Sequence, residues 1–341
     1  MKKGLVGRLL GVVALAAASL AGAAPASAND VEDAFDRVLG TQVRKPVDYT
    51  TTVESPFHRQ VALLADGGAG RIGVAAVDLS TGQEIAVLGD QRFPMASTSK
   101  IAIAATFLEG VDKGRWSLTS EFPLMIPVSS KPFSSERAPV KPGQYMSATQ
   151  LLDLMLTRSS NPATDALLAV VGGPAAVNDW VRRAGIQDFT LSRDIATLVR
   201  DDGEVDPAQR IDVRDSATPK AMVQLLVGLH QGKWLSQSSR NLLIGMMEKC
   251  RTGPRRIPAN LPASVTVAHK TGSLNNTSSD VGIITTPDGR SFAVAIYVTG
   301  QGSRANREAK IASIARAVYD GYTVRSPGSQ WVDARYERTA N

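Results

Sequence analysis

Three short motifs whose residues could act together on a carbonyl group follow one another along the chain: S-T-S-K at 97–100, S-S-N at 159–161 and K-T-G at 270–272. A serine hydroxyl becomes a good nucleophile only when a neighbouring group takes its proton. Lys100 follows Ser97 by three residues, so on a helix both side chains lie on one face. Burial and a second cation nearby would lower the pKa of that amine and make it a base. We therefore predict Ser97 as the nucleophile and Lys100 as its base.

The second motif comes after a helical pattern and directly before Pro162, where a turn is expected. On such a turn Ser159 could pass a proton to a leaving nitrogen, and Asn161 could hold a substrate amide or the lysine. Serine, asparagine and proline also favour an ordinary linker between helices. This motif therefore indicates a catalytic site only in combination with the other two.

The third motif ends a β-rich run, and Gly272 would let a substrate backbone approach the edge of that strand. Lys270 and Thr271 would bind a substrate carboxylate through charge and hydroxyl. The backbone N–H of Ser273 could join that of Ser97 in stabilising an oxyanion. The alternative is a lysine that protects an edge strand from aggregation.

The surrounding elements predict an α+β fold, with one antiparallel sheet built from the N- and C-terminal segments and a mostly helical region inserted between them. Strand patterns occur at 71–79, 83–88, 265–270, 280–286 and 291–298. Helical patterns occur at 54–66, from Ser97 to about 108, and at 148–158, 164–171, 174–184, 218–231, 236–248 and 304–319. The charged segment 191–215 has no clean period and is predicted to be a loop.

The N-terminus combines a basic start, a short apolar run and the small residues A-S-A at 26–28, a pattern typical of a secretory signal. We expect residues 1–28 to be a signal peptide and 29–53 an arm. The catalytic domain is expected at 54–322, with the sheet from about 54–95 and 262–322 and the helical part at about 96–261. Residues 323–341 read as a polar tail. Export to the periplasm or medium is expected, with no stable membrane anchor after cleavage.

Charge and composition narrow the possible partners. Loss of Lys2, Lys3 and Arg8 with the leader lowers the net charge from +6 to +3, and the remaining charges are mixed, so no nucleic-acid partner is expected. Cys250 is the one cysteine, which excludes an internal disulfide, and its helix-like setting predicts an inert thiol. We expect a monomer that acts on a small molecule.

The motifs, their order and their flanks resemble those of the class A β-lactamases and their penicillin-recognising relatives. The resemblance extends from about Val53 to Tyr322 and includes R-F-P-M at 92–95 and D-S-A-T-P at 215–219. It implies that Ser97 attacks a lactam carbonyl, and that water then releases a ring-opened acid from the acyl-enzyme. It implies no metal and no organic cofactor.

Three departures from the family pattern bear on turnover. Ser160 stands where the family usually has aspartate, and no arginine follows the third motif to support Lys270. The family also carries a loop glutamate, followed by Leu-Asn, that activates the deacylating water, and no such sequence follows L-S-R at 191–193. Candidate bases in the loop are Asp194, Asp201, Asp202 and Glu204, although the simpler explanation of each is a solvated loop acid.

Three functions remain open on this basis. The compact length favours a β-lactamase. The missing glutamate favours a penicillin-binding peptidase or esterase-like relative that deacylates slowly. The third is a protein that binds β-lactams or peptidoglycan-like ligands without turnover.

Overall fold

A computed structural model describes residues 42–46 and 55–323 of the chain. The predicted signal peptide, most of the predicted arm and the tail from 324 onward lie outside these ranges. The strands are β1 (Val43–Arg44), β2 (Ile72–Asp78), β3 (Glu84–Val87), β4 (Phe93–Pro94), β5 (Glu121–Pro127), β6 (Val140–Ser147), β7 (Phe189–Thr190), β8 (Ile211–Asp212), β9 (Ser216–Ala217), β10 (Thr266–Leu274), β11 (Thr277–Thr285) and β12 (Ser291–Thr299).

Nine α-helices fall within the described ranges, with short 3-10 helices at Ala96–Ser99 and Ile257–Asn260. They are α1 (Pro56–Leu64), α2 (Lys100–Asp112), α3 (Ala148–Thr157), α4 (Asn161–Val171), α5 (Gly173–Arg183), α6 (Ile195–Arg200), α7 (Pro219–His230), α8 (Gln237–Glu248) and α9 (Arg304–Thr323). No helix in the described ranges is long and apolar enough to cross a membrane.

The main sheet has five strands in the order β10-β11-β12-β2-β3, and every neighbouring pair is antiparallel. Strands from both ends of the chain therefore share one sheet, as predicted. The central strand β12 is buried along its whole length, because helices cover both faces of the sheet. β10 is an edge strand, so the K-T-G motif borders the space beside the sheet rather than its centre.

Two apolar cores lie on opposite faces of the sheet. One packs the inserted helices against residues such as Ala75, Val77 and Tyr297, and contains all of the apolar part of α2. The other packs α1 and α9 against Val74, Ile296 and their neighbours. A helix with no polar face, such as α2, can only be stable when surrounded by other elements, and it carries Lys100 at its first position.

Three differences between the observed and the predicted elements involve long stretches of the chain. The segment 191–215 contains α6 and the short strand β8, which pairs with β1. β10 and β11 are longer than predicted and meet in a tight turn at Asn275 and Asn276. The hairpin of β5 and β6 was not predicted, because its strands are half exposed, interrupted by proline and weakly alternating.

Candidate active site

Ser97 sits on a sharp connection between β4 and α2. β4 pairs with β9, and the N–H of Met95 donates to the carbonyl of Asp215 at 2.9 Å. Ala96 has a φ of 48°, a conformation that costs a non-glycine residue energy and recurs at functional positions. A 3-10 turn, rather than the α-helix predicted to begin at Ser97, carries the serine, which remains partly exposed.

Lys100 is fully buried, and three oxygen atoms surround its amine. Nζ donates to the Ser159 carbonyl at 2.8 Å, to Ser159 Oγ at 3.3 Å and to Asn161 Oδ1 at 2.8 Å. Burial, and then the charge of Lys270, hold the pKa of Lys100 well below its usual range, while Asp165 opposes this shift. The expected depression of this pKa by burial and a second cation is therefore present.

Ser159 joins the two lysines. Lys270 Nζ donates to Ser159 Oγ at 2.9 Å, so this oxygen contacts both amines. Ser159 has a φ of 59°, and Ser160 caps α4 by accepting from the N–H of Ala163 at 3.4 Å. The cap explains how a serine can stand where the family usually has aspartate, since both residue types cap helices well.

Lys270 lies fully buried on β10, and burial lowers its pKa to about 8. Gly272 is required for a reason that differs from the predicted one. A Cβ atom there would lie 2.7 Å from the carbonyl oxygen of Met95 and would also collide with Ser279 Oγ. The protein's own backbone beside Ser97, and not only a substrate, therefore needs the glycine.

An arginine from a distant part of the sequence supports this strand. Arg256 is 1% exposed and donates to the carbonyls of Gly272 and Ser279, both at 2.8 Å, and to Ser273 Oγ at 2.6 Å. Its charge is balanced by Glu308 at 3.3 Å. The sequence has no arginine directly after the third motif, and Arg256 instead reaches this strand from the turn before Ile257–Asn260.

The two ends of the segment 191–215 contact each other and close the segment into a loop. Arg193 Nε donates to Asp215 Oδ2 at 2.6 Å, and Asp215 Oδ1 accepts the N–H groups of Ser192 at 2.8 Å and Arg193 at 3.0 Å. At its far side, Asp202 accepts the N–H of Asn275 at 2.8 and 2.9 Å, directly after β10. Asp215 thus holds the two ends of the loop together, and Asp202 attaches the loop to the turn that follows β10.

All four loop acids considered as deacylation bases have structural contacts. Asp194 caps α6 through the N–H of Thr197 at 2.8 Å. Asp201 pairs with Arg200 at 2.7 Å, and Glu204 pairs with Arg214 at 2.8 Å. With Asp202 bound to the turn after β10, the carboxylates of this group serve to hold the loop together.

Asp165 is a site residue that the sequence reasoning missed. Its carboxylate is buried and accepts the N–H groups of Ile195 at 2.7 Å and Ala196 at 2.9 Å at the start of α6. Burial raises its pKa to about 6, against those hydrogen bonds and the charge of Lys100. Its position four residues after Asn161, hence on the same face of α4, was the available signal.

Residues 42–46 and 55–323 hold no group of three or more His, Cys, Asp or Glu side chains suited to a metal ion. His269 is buried in the sheet beside Lys270 and contacts Asp280 at 2.9 Å.

Comparison with known proteins gives a consistent result. Residues 56–322 match the profile of a family described as the beta-lactamase enzyme family. The chain is 30% identical to the extended-spectrum beta-lactamase PER-1 of Pseudomonas aeruginosa, over 80% of this chain and 89% of that protein. It is 31% identical to beta-lactamase CTX-M-8 of Citrobacter amalonaticus, over 77% of this chain and 88% of that protein.

Solved structures agree with the sequence comparison. A beta-lactamase from Chitinophaga pinensis superposes with a TM-score of 0.69 at 29% identity, covering 79% of this chain and all 100% of that one. The ancestral class A beta-lactamase GNCA superposes with a TM-score of 0.66 at 34% identity, covering 78% of this chain and 99% of that one.

Proposed function

The chain belongs to the beta-lactamase enzyme family, and we propose that it is a serine hydrolase that opens the β-lactam ring through an acyl-enzyme at Ser97. One observation carries the proposal: Lys100 and Lys270 both contact Ser159 Oγ beside the turn that bears Ser97. Burying two cations against one hydroxyl costs folding free energy. We therefore attribute their position to catalysis rather than to stability.

The contacts of Ser159 with both amines support a proton relay in the first half of the reaction. Neutral Lys100 takes the proton of Ser97 as the hydroxyl oxygen attacks the lactam carbonyl. Ser159, which accepts from both amines, gives its own proton to the leaving ring nitrogen, and Lys100 returns the proton to Ser159. The N–H groups of Ser97 and Ser273 stabilise the oxyanion.

The remaining groups bind the substrate. Asn161 holds the substrate amide, with Lys100 on the same side-chain oxygen at 2.8 Å in the free enzyme. Lys270 and Thr271 bind the substrate carboxylate, and Gly272 lets β10 lie against the nucleophile turn. No metal or organic cofactor takes part in this scheme.

For deacylation, the loop lacks the glutamate followed by Leu-Asn that activates water in the family. Because Asp194, Asp201, Asp202 and Glu204 each have other partners, a slowly deacylating penicillin-binding relative is the second candidate function. Steady-state hydrolysis of a chromogenic cephalosporin by the protein and by Ser97→Ala tests the proposal. We expect turnover by the former alone; equal rates in both proteins would exclude Ser97 as the nucleophile.

We further propose that residues 1–28 direct export to the periplasm or the medium and are then removed, leaving a monomer with no membrane anchor. The support is the basic, apolar and small-residue order of the leader. N-terminal sequencing of the protein from expressing cells should begin at Asn29, and an uncleaved Met1 would contradict export by this route.

A further inference from the structure

A second cluster of reactive side chains lies behind the K-T-G strand, away from Ser97. Cys250 is half-buried and follows the end of α8 by two residues, rather than lying within a helix. His269 of β10 and Asp280 of β11 are both buried, with His269 Nδ1 at 2.9 and 3.0 Å from the two carboxylate oxygens. Asp280 also accepts the N–H of Ile257 at 3.1 Å.

The cluster reaches the proposed substrate-binding residue Thr271 through one hydroxyl. Cys250 Sγ lies 3.3 Å from Thr252 Oγ1, and Thr252 Oγ1 lies 2.6 Å from Thr271 Oγ1. Gly253 packs against Thr271 so closely that an added Cβ would lie 2.5 Å from its methyl group. The turn after α8 therefore fixes the Thr271 side chain from behind.

A hydroxyl group has one proton to donate, so this chain of contacts has two possible directions. When Cys250 is a thiol, it can donate to Thr252 Oγ1 at 3.3 Å or to the Thr252 carbonyl at 3.7 Å. In either case Thr252 can donate to Thr271, which leaves the proton of Thr271 for a substrate carboxylate. When Cys250 is a thiolate, it can only accept. Thr252 then donates to the sulfur, and Thr271 donates to Thr252 and turns its proton away from the substrate.

The charges around Cys250 favour ionisation near neutral pH. Burial raises the pKa of the thiol, but the hydrogen bond and charge of His269 outweigh burial and lower it to about 7. Burial lowers the pKa of His269, but the charge and hydrogen bond of Asp280 outweigh it and raise it to about 10. Lys270 on β10 and Arg256 before the Ile257–Asn260 turn are further charged groups beside the cluster, and the exposed Lys249 and Arg251 flank Cys250 in the sequence.

We propose that Cys250 is a positioning residue, whose thiol and thiolate forms switch the direction of the Cys250–Thr252–Thr271 contacts and thereby strengthen or weaken the hold of Thr271 on the substrate carboxylate. The proposal rests on the proposed function, because it requires a carboxylate-bearing substrate at Lys270 and Thr271. It makes substrate affinity, rather than the chemical step, respond to the state of a thiol outside the cleft.

The test compares KM as a function of pH for the full-length mature protein and for Cys250→Ser, whose hydroxyl does not ionise in this range. Loss of one hydrogen bond to a carboxylate should raise KM for a carboxylate-bearing cephalosporin roughly tenfold between pH 6 and pH 8. Burial lowers the pKa of Lys270 and the Cys250 charge raises it, so Cys250→Ser also shifts the titration of Lys270. The ratio of the two KM values is therefore read against Thr252→Val as well, which keeps the thiolate. A neutral ester of the same cephalosporin should show a constant ratio.

Thr252→Val provides an independent variant that breaks the contacts and leaves Cys250 and His269 in place. We expect its KM for the carboxylate substrate to follow that of Cys250→Ser.

Because the chain has one cysteine, the ultraviolet absorbance of the thiolate reports the ionisation of Cys250 alone. A KM ratio that stays constant while the thiolate forms, or a thiolate that forms only above pH 9, would overturn the proposal. Failure of the proposed function would look different: the unmodified protein would neither be acylated by the cephalosporin nor hydrolyse it.

Discussion

At the scale of single residues, two buried lysines form the centre of the site. Among the contacts described, neither amine has a carboxylate within hydrogen-bonding distance. Lys100 and Lys270 are both fully buried, and both donate to Ser159 Oγ. Such an arrangement costs stability, because burial disfavours each charge and each cation disfavours the other. In return, both amines acquire lowered pKa values, which suits proton transfer at neutral pH.

The buried arginine behind the substrate strand gives a stability prediction. Arg256→Ala leaves Glu308 without its buried partner and removes the donors to Gly272 and Ser279, so the free energy of unfolding should fall by about 3–5 kcal/mol. Urea titration measures this loss. Arg304→Ala is the matched control, because Arg304 contacts the same carboxylate at 3.1 Å from a 63% exposed position. Its loss should cost about 0–1 kcal/mol, and equal effects of the two variants would contradict this assignment.

The residues of the three motifs could be placed from the sequence, because their types and spacing specify chemistry and a local element. Arg256 could not, since it reaches Gly272 from 16 positions away through a turn that has no sequence period. The helical-spacing argument that predicts Lys100 beside Ser97 also applies to Asp165, which follows Asn161 by four residues. Its spacing from Asn161 indicates a shared helix face, but it does not indicate that the carboxylate is buried against the start of α6.

At the scale of elements, the loop 191–215 depends on one ion pair at its base. Asp215 is buried, with a φ of 50°, and holds two backbone N–H groups as well as Arg193. Asp215→Asn replaces one accepting oxygen with a donor, so a charge-assisted hydrogen bond is lost and the loop opens more often. Amide exchange across 194–206 should accelerate by at least about tenfold.

The control for this variant is Asp188→Asn. Asp188 has a similar φ of 56°, but its carboxylate is 61% exposed and pairs only at 3.2 Å with Arg92. Asparagine tolerates this backbone conformation at both positions, so the two variants differ chiefly in the buried contacts. Unchanged exchange in Asp215→Asn, or the same acceleration in Asp188→Asn, would show that the ion pair does not hold the loop.

The elements that the sequence predicts correctly are those with a strong hydrophobic periodicity. The long helices and the strands of the main sheet were predicted to within a few residues. α6 was missed because it has only six residues and is capped by Asp194 rather than marked by an apolar stripe. The β5–β6 hairpin was missed because it packs one face only and carries proline in both strands.

At the scale of the whole molecule, folding requires the N- and C-terminal parts of the domain at 55–323 to meet. α9 packs on α1, and the hydroxyl of Tyr322 near the end of α9 lies 3.1 Å from the carbonyl oxygens of Ala76 and Gln83, between which it shares its one proton. Since β2 and β3 come from the N-terminal side and β10 to β12 from the C-terminal side, the turn that bears Ser97 and the K-T-G strand come together only after this long-range pairing.

A glycine in α9 provides the test of this contact. An added Cβ at Gly321 would collide with the ring of Phe57 in α1, so Gly321→Ala should lower the free energy of unfolding by about 1–3 kcal/mol. Gly245→Ala in α8 meets nothing within 4 Å and should be neutral or stabilising by up to about 1 kcal/mol. Denaturation followed by fluorescence and by hydrolysis should give one coincident transition. An unaffected Gly321→Ala would mean that the two helices do not pack as described.

The central claim is that a β-lactam acylates Ser97 and is then released as a ring-opened acid. Intact-mass measurement through a single turnover, with hydrolysis followed in the same sample, tests it most directly, with Ser97→Gly as the control. We predict one adduct per chain of the full lactam mass, located on the peptide that contains Ser97, which decays as product appears and is absent from the control. Hydrolysis at the same rate in Ser97→Gly, or product formation with the adduct on another residue, would contradict the claim.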